Sequence, residues 1–205
     1  MLSRSIMRFR YREQRNTGTV DGTAKYPENT NRHSGGLMNA IKDLRDTDLF
    51  KGLDMKQLQL FDKHCIEKTF ETGELVFAQG GPAENLYILL EGEVTLGIKA
   101  KGEIDITASS AGKKGETFGL SALIKPYRNN VSATCTKKTK VLSINGEVLR
   151  KLLNQNRKVG MEIMDRVAEM YYTRLNNTRA MITNLFKMFK FQTGKSKLIE
   201  TYYER

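Results

Sequence analysis

With 205 residues, 39% of them hydrophobic and 28% charged, the chain has the size and balance of one globular domain with appendages. No apolar run approaches the roughly 20 residues needed to span a bilayer, and no signal-peptide-like region opens the chain, so it reads as a cytoplasmic protein. The net charge of +11 sits at the ends, with net +4 over residues 1–36, −2 over 37–136 and +9 over 137–205, which suits nucleic acid, an anionic membrane or an acidic partner as well as plain solvation.

Residues 1–36 combine spaced arginines with Gly, Thr, Asn and Ser around Pro27, a composition that predicts a disordered basic extension. Leu37, Ile41, Leu44 and Leu49 recur at helical spacing. Asp54-Met55-Lys56-Gln57 then predicts a capping box. The Asp54 carboxylate would accept from an early helical N–H, and Gln57 would reach back to the cap. Leu58, Phe61, Cys65 and Ile66 are assigned to the inner face of that second helix.

From Thr69 the period changes to two. Strands are predicted over 74–79, 85–90, 93–98 and 104–108, separated by Gly-containing turns. Short strands punctuated in this way indicate a jelly-roll or barrel.

Gly115 to Thr134 is the most informative stretch. Phe118-Gly119 leads into one short helical turn, predicted over Leu120–Ile124, and Pro126 stops it. A glycine followed by a helical turn presents free backbone N–H groups, here those of Gly119, Leu120, Ser121 and Ala122, and such groups commonly cradle a phosphate. Arg128 would supply charge, and Ser132 and Thr134 hydroxyls. A barrel corner that only needs a tight turn explains the same residues.

Val141–Ile144 closes the predicted barrel, Asn145 caps a helix over Gly146–Leu153, and a long helix follows over Val159–Phe189. Met164, Ala168, Tyr171, Leu175, Thr178, Ile182, Leu185 and Phe189 alternate at spacings of four and three, the pattern of a coiled-coil seam. The stripe either pairs two copies or packs on the chain's own barrel.

Enzymatic chemistry is not expected. The only histidines, His33 and His64, lie outside the predicted barrel, so no metal site is expected. No Ser or Cys has a neighbouring His base. Gly194-Lys195-Ser196 imitates the end of a P-loop, but Phe189 stands where its first glycine would be and no strand precedes it. Cys65 and Cys135 sit in apolar contexts without metal spacing and read as free buried thiols of a reducing compartment.

The spaced matches Gly73-Glu74, Gly80, Ala83-Glu84, Leu86-Tyr87, Gly92 and Val94, continued by Gly115-Glu116, Phe118-Gly119 and Ala133-Thr134, resemble the cyclic-nucleotide-binding domain family. That family includes the bacterial cyclic-AMP receptor protein and kinase regulatory subunits. The resemblance covers about residues 44–180 and implies a mainly β double-stranded β-helix, a jelly-roll with flanking helices. The implied division is a basic extension over 1–36, a barrel with an N-terminal helical bundle over 37–158, a long C helix over 159–189 as dimer seam, and a basic tail over 190–205.

The resemblance also implies a non-enzymatic sensor for cyclic AMP, cyclic GMP or a related phosphorylated ligand, which signals through its C helix. No other cofactor is expected, the partners would be a second copy and an unidentified protein, and nucleic acid is not expected. The family's Phe-Gly-Glu becomes Phe118-Gly119-Leu120, and its Arg-Ser-Ala or Arg-x-Ala-Thr becomes Val131-Ser132-Ala133-Thr134. Leu120 thus replaces the ribose-binding Glu and Val131 the phosphate-binding Arg. Tyr171, Thr178 and Arg179 fall where the family's C helix meets the base. Two other readings stay open: a ligand-independent interaction module with a degenerate cassette, and a transcription regulator of the receptor-protein type lacking a helix-turn-helix.

Overall fold

The computed structural model describes residues 38–99 and 105–193. The expectations for residues 1–36 and for the tail beyond 193 lie outside the described residues.

Two short helices open the described chain, α1 (Met38–Arg45) and α2 (Met55–Asp62). The capping box forms as expected. Gln57 N–H donates to Asp54 Oδ1 at 2.9 Å, and Asp54 N–H donates to Gln57 Oε1 at 2.7 Å.

Eight strands follow. They are β1 (Cys65–Phe70), β2 (Leu75–Phe77), β3 (Asn85–Glu91), β4 (Val94–Lys99), β5 (Asp105–Ala111), β6 (Thr117–Phe118), β7 (Ser132–Cys135) and β8 (Thr139–Asn145). They form two four-stranded antiparallel sheets, ordered β1-β8-β3-β6 and β2-β7-β4-β5. This is the expected jelly-roll.

One boundary differs from the sequence reading. Cys65 and Ile66 do not belong to α2, which ends at Asp62, but open β1 and pair with Ile144 and Ser143 of β8. A buried cysteine satisfies a helix face or a strand equally well, and here the cross-strand partner decides.

The first sheet is covered on both faces, which explains its near-continuous apolar strands. Leu86 and Ile88 of β3 and Leu142 and Ile144 of β8 face the helices. Tyr87 and Leu89 of β3 and Val141 of β8 face the second sheet. Between the sheets the Tyr87 ring stacks on those of Phe77 and Phe118, with centroids 5.9 and 5.2 Å apart, and Phe77 and Phe118 meet tilted at 6.2 Å. Outside the barrel, Phe50 and Phe61 meet edge-on in a second core under the helices.

Asn145 caps α3 (Gly146–Gln155), its Oδ1 accepting from Glu147 and Val148 N–H at 3.0 and 3.1 Å. α4 spans Arg157–Thr193, longer at both ends than the expected Val159–Phe189. Its buried line is Val159, Ile163 and Val167, packed into the second core. The heptad stripe lies elsewhere on the helix, and Met164, Ala168, Leu175, Thr178, Ile182 and Leu185 are exposed. The stripe therefore does not pack on the chain's own barrel, Tyr171 being its one half-buried member among the described side chains.

Candidate functional site

The Gly115–Thr134 stretch crosses from the first sheet to the second. Phe118 ends β6 inside the barrel, fully buried. The chain then turns at Gly119, with φ +76°. A Cβ at this position would stand 2.8 Å from the Asn85 carbonyl oxygen and 3.1 Å from the Tyr87 ring. Sterics and backbone conformation together restrict the position to glycine.

The helical turn is shorter and tighter than expected, a 3-10 turn over Leu120–Ala122. Ala122 N–H is consumed by the turn itself, donating to Gly119 O at 3.0 Å, so it is not offered to a ligand. No side chain caps the start of the turn. Among the described residues no acceptor is bonded to the N–H groups of Leu120 and Ser121.

Between this turn and α4 lies a narrow cleft. It is lined by Phe77, Leu96, Gly119, Leu120, Ser121, Asn130, Val131, Tyr171 and Arg174. Its free volume is about 10 Å³, about the space of one water centre. Five of the sequence-predicted residues, Gly119, Leu120, Ser121, Val131 and Tyr171, are thus brought to one place.

The others lie outside this lining. Phe118 and Ala133 are buried in the inter-sheet core. Ser132 Oγ accepts from Gln79 N–H at 3.0 Å, and Thr134 pairs with Leu75 and Thr95. Arg128 is exposed, and its Nη1 donates to Gly80 O at 2.7 Å, tying the end of the cassette to the β2–β3 turn. Thr178 and Arg179 are exposed farther along α4, the Thr178 hydroxyl donating to Arg174 O at 2.9 Å. Leu120 is 1% exposed and belongs to the core under the helices.

The residue that sequence reasoning missed is Arg174. Its Nη2 donates to Thr117 O at 3.3 Å. Among the described residues no carboxylate forms an ion pair with it. Burial pulls its pKa below the ordinary arginine value, with neighbouring Tyr171 acting in the opposite direction. A guanidinium keeps its charge even so. A mostly desolvated cation without an anion is costly, and this one faces the cassette. Its signal in the sequence is the Arg174-Leu175 pair, which resembles an Arg-Leu pair of the family's C helix and there sets the register of Thr178 and Arg179.

A second cation secures the cassette from behind. Arg150 of α3 donates to the Ala122 carbonyl, and its guanidinium lies 4.1 Å over the Tyr127 ring. Cation–π contact and hydrogen bond together couple α3 to the turn.

Known proteins share this fold. Residues 67–156 match the cyclic nucleotide-binding domain family. A CRP-like cAMP-activated global transcriptional regulator of Mycobacterium tuberculosis is 25% identical over 132 residues, covering 64% of this chain and 58% of that protein. The chain therefore spans less than two thirds of that curated relative. Among solved structures, a Geobacter metallireducens GS-15 protein assigned to cyclic-nucleotide binding is 36% identical with a TM-score of 0.59, over 66% of this chain and 98% of that one. The N-terminal domain of a Streptomyces coelicolor A3(2) transcriptional regulator is 25% identical with a TM-score of 0.55, over 64% and 93%. A jelly-roll with its glycine-led turn under a long helix, and the 36% identity to the Geobacter protein over 98% of its length, make the chain a member of the cyclic nucleotide-binding domain family.

Proposed function

We propose that the protein is a non-enzymatic regulatory sensor that binds cyclic AMP or a related cyclic nucleotide in the cassette cleft and signals through α4. The observation that carries this reading is Arg174, a mostly buried guanidinium that lines the cleft without a carboxylate partner. The cassette itself has Val131 where the family pattern has its arginine, so the charge for the phosphate comes from α4. A charge-assisted bond from Arg174, joined by the N–H groups of Leu120 and Ser121, meets what a buried phosphate needs. Tyr171 lines the same cleft, and its ring would serve the base.

A free volume of about 10 Å³ does not admit a nucleotide, so ligand entry parts the cassette from α4. A ligand that binds the parted arrangement better shifts the population toward it. The seam of Met164, Ala168 and Leu175, exposed beside the barrel, pairs α4 with that of a second copy, and the displacement is read out there.

One observation favours the ligand-independent module instead. Leu120 contributes its side chain to the core where the family's glutamate meets the ribose. Calorimetric titration with cyclic AMP and cyclic GMP separates the two readings. Saturable binding of either is expected. No heat with either nucleotide at millimolar concentration would leave the interaction module as the function.

A further inference from the structure

We propose that the distal part of α4, from Met181 onward, lies on an anionic membrane surface. Residues 163 and 181 are five helical turns apart, so Met181, Leu185 and Met188 occupy the angular positions of Ile163, Val167 and Met170, at roughly 100° per residue. In the proximal half this line is covered: Ile163 is 0% exposed and Val167 1%. In the distal half the barrel has ended, and Met181, Leu185 and Met188 are 43%, 48% and 65% exposed.

Beside this line runs a second one, Ile182 and Phe186, 45% and 56% exposed. Together the two lines cover an apolar arc of roughly 160°, far wider than a two-stranded seam at this helical pitch. Lys187, Thr183 and the amide of Asn184 occupy the rest of the circumference. An exposed apolar surface of this kind marks an interaction site.

The charge pattern names what covers it. The proximal half carries Glu162, Asp165 and Glu169, but no Asp or Glu occurs from residue 170 to residue 199, where Arg174, Arg179, Lys187, Lys190, Lys195 and Lys197 stand. A helix with a broad apolar face and only cationic charge is suited to the headgroup region of an anionic bilayer, its long basic side chains reaching outward to the phosphates. No described helix is long and apolar enough to cross a membrane, so the helix lies on the surface.

A second copy of the chain fits this half less well. Pairing through Leu175 and Ile182 would leave the Met181 and Met188 line uncovered. The positions flanking such a seam hold Arg179, Met181, Phe186 and Met188, with none of the opposite charges that specify pairing.

The test is co-sedimentation of the full chain with vesicles. Binding is expected to vesicles of equal parts phosphatidylglycerol and phosphatidylcholine, at least tenfold weaker to phosphatidylcholine alone, and weaker at high salt. Met181→Gln/Phe186→Gln/Met188→Gln changes only exposed side chains and is expected to keep the melting temperature while losing tenfold or more in binding. Lys187→Glu/Lys190→Glu is expected to lose binding to the anionic vesicles. Failure of the wild type to sediment with anionic vesicles overturns the proposal, as does a triple variant that binds like the wild type. Light scattering gives a further way to fail: a lipid-free wild type larger than a dimer, which the triple variant reduces, would mean that further copies of the chain cover this face.

Discussion

Arg174 carries the account at the scale of single residues, and the linear sequence shows it only as half of the Arg174-Leu175 pair that resembles the family's C helix, with no sign that it reaches the cleft. Arg128 was legible because it sits in the cassette, yet it is spent on the Gly80 carbonyl. Arg174 is 40 or more positions away in sequence and reaches the cleft only because α4 crosses over the turn. Gly119, by contrast, was readable from its place between a strand and a turn, and the structure supplies the reason in its positive φ and the 2.8 Å approach to Asn85 O. Gly119→Ala is therefore expected to cost about 2 kcal/mol, seen as a melting temperature lower by roughly 4–8 °C; an unchanged melting temperature would mean that the turn relaxes freely. The two thiols give a second check. Burial pushes the Cys65 thiol up to about 12 and raises that of Cys135 as well. A raised pKa means less thiolate at neutral pH, so both should react with a disulfide reagent more slowly than a free thiol, Cys65 by at least about 100-fold. Rapid labelling of the folded protein would contradict the packing around them.

Among the elements, those with strong local signals were legible: the capping box of α2, the Asn145 cap of α3, the strands β3 and β4 and the long helix. What the sequence did not reveal depends on distant partners. The span of β6 is two residues, Thr117 and Phe118, fixed by pairing with Ile88 and Tyr87, too short for any periodicity. β1 starts at Cys65 because β8 lies beside it. In the cassette turn the core claims Leu120, which changes how the lost glutamate is to be restored. Leu120→Glu would place a carboxylate in the core and is expected to cost about 3 kcal/mol or more. Val131 is half-buried and lines the cleft, so Val131→Arg is the variant expected to fold and to strengthen cyclic-AMP binding. A fully stable Leu120→Glu protein by thermal melting would show that this side chain is freer than its burial indicates. For α4, the exposed Leu175 should pair with its copy: Leu175→Glu is expected to give a monomer by light scattering at tens of micromolar where the wild type is a dimer. A wild-type monomer at that concentration would remove the proposed pairing.

The whole molecule is two cores sharing one sheet, with α4 packed on the outer core while Tyr171 and Arg174 close the cassette cleft. That arrangement makes the helix both the lid of the cleft and the element that leaves the barrel. In the proposed reading, lid and phosphate contact would be combined in one helix, which would stand in for the arginine that Val131 replaces. The most direct measurement is calorimetric titration of cyclic AMP into wild type, Arg174→Ala and Arg128→Ala. The account predicts saturable binding by the wild type, an affinity at least about tenfold lower in Arg174→Ala, equivalent to about 1.4 kcal/mol, and Arg128→Ala within about threefold of the wild type, since that side chain serves the β2–β3 turn. Binding that survives Arg174→Ala but is lost in Arg128→Ala would contradict it.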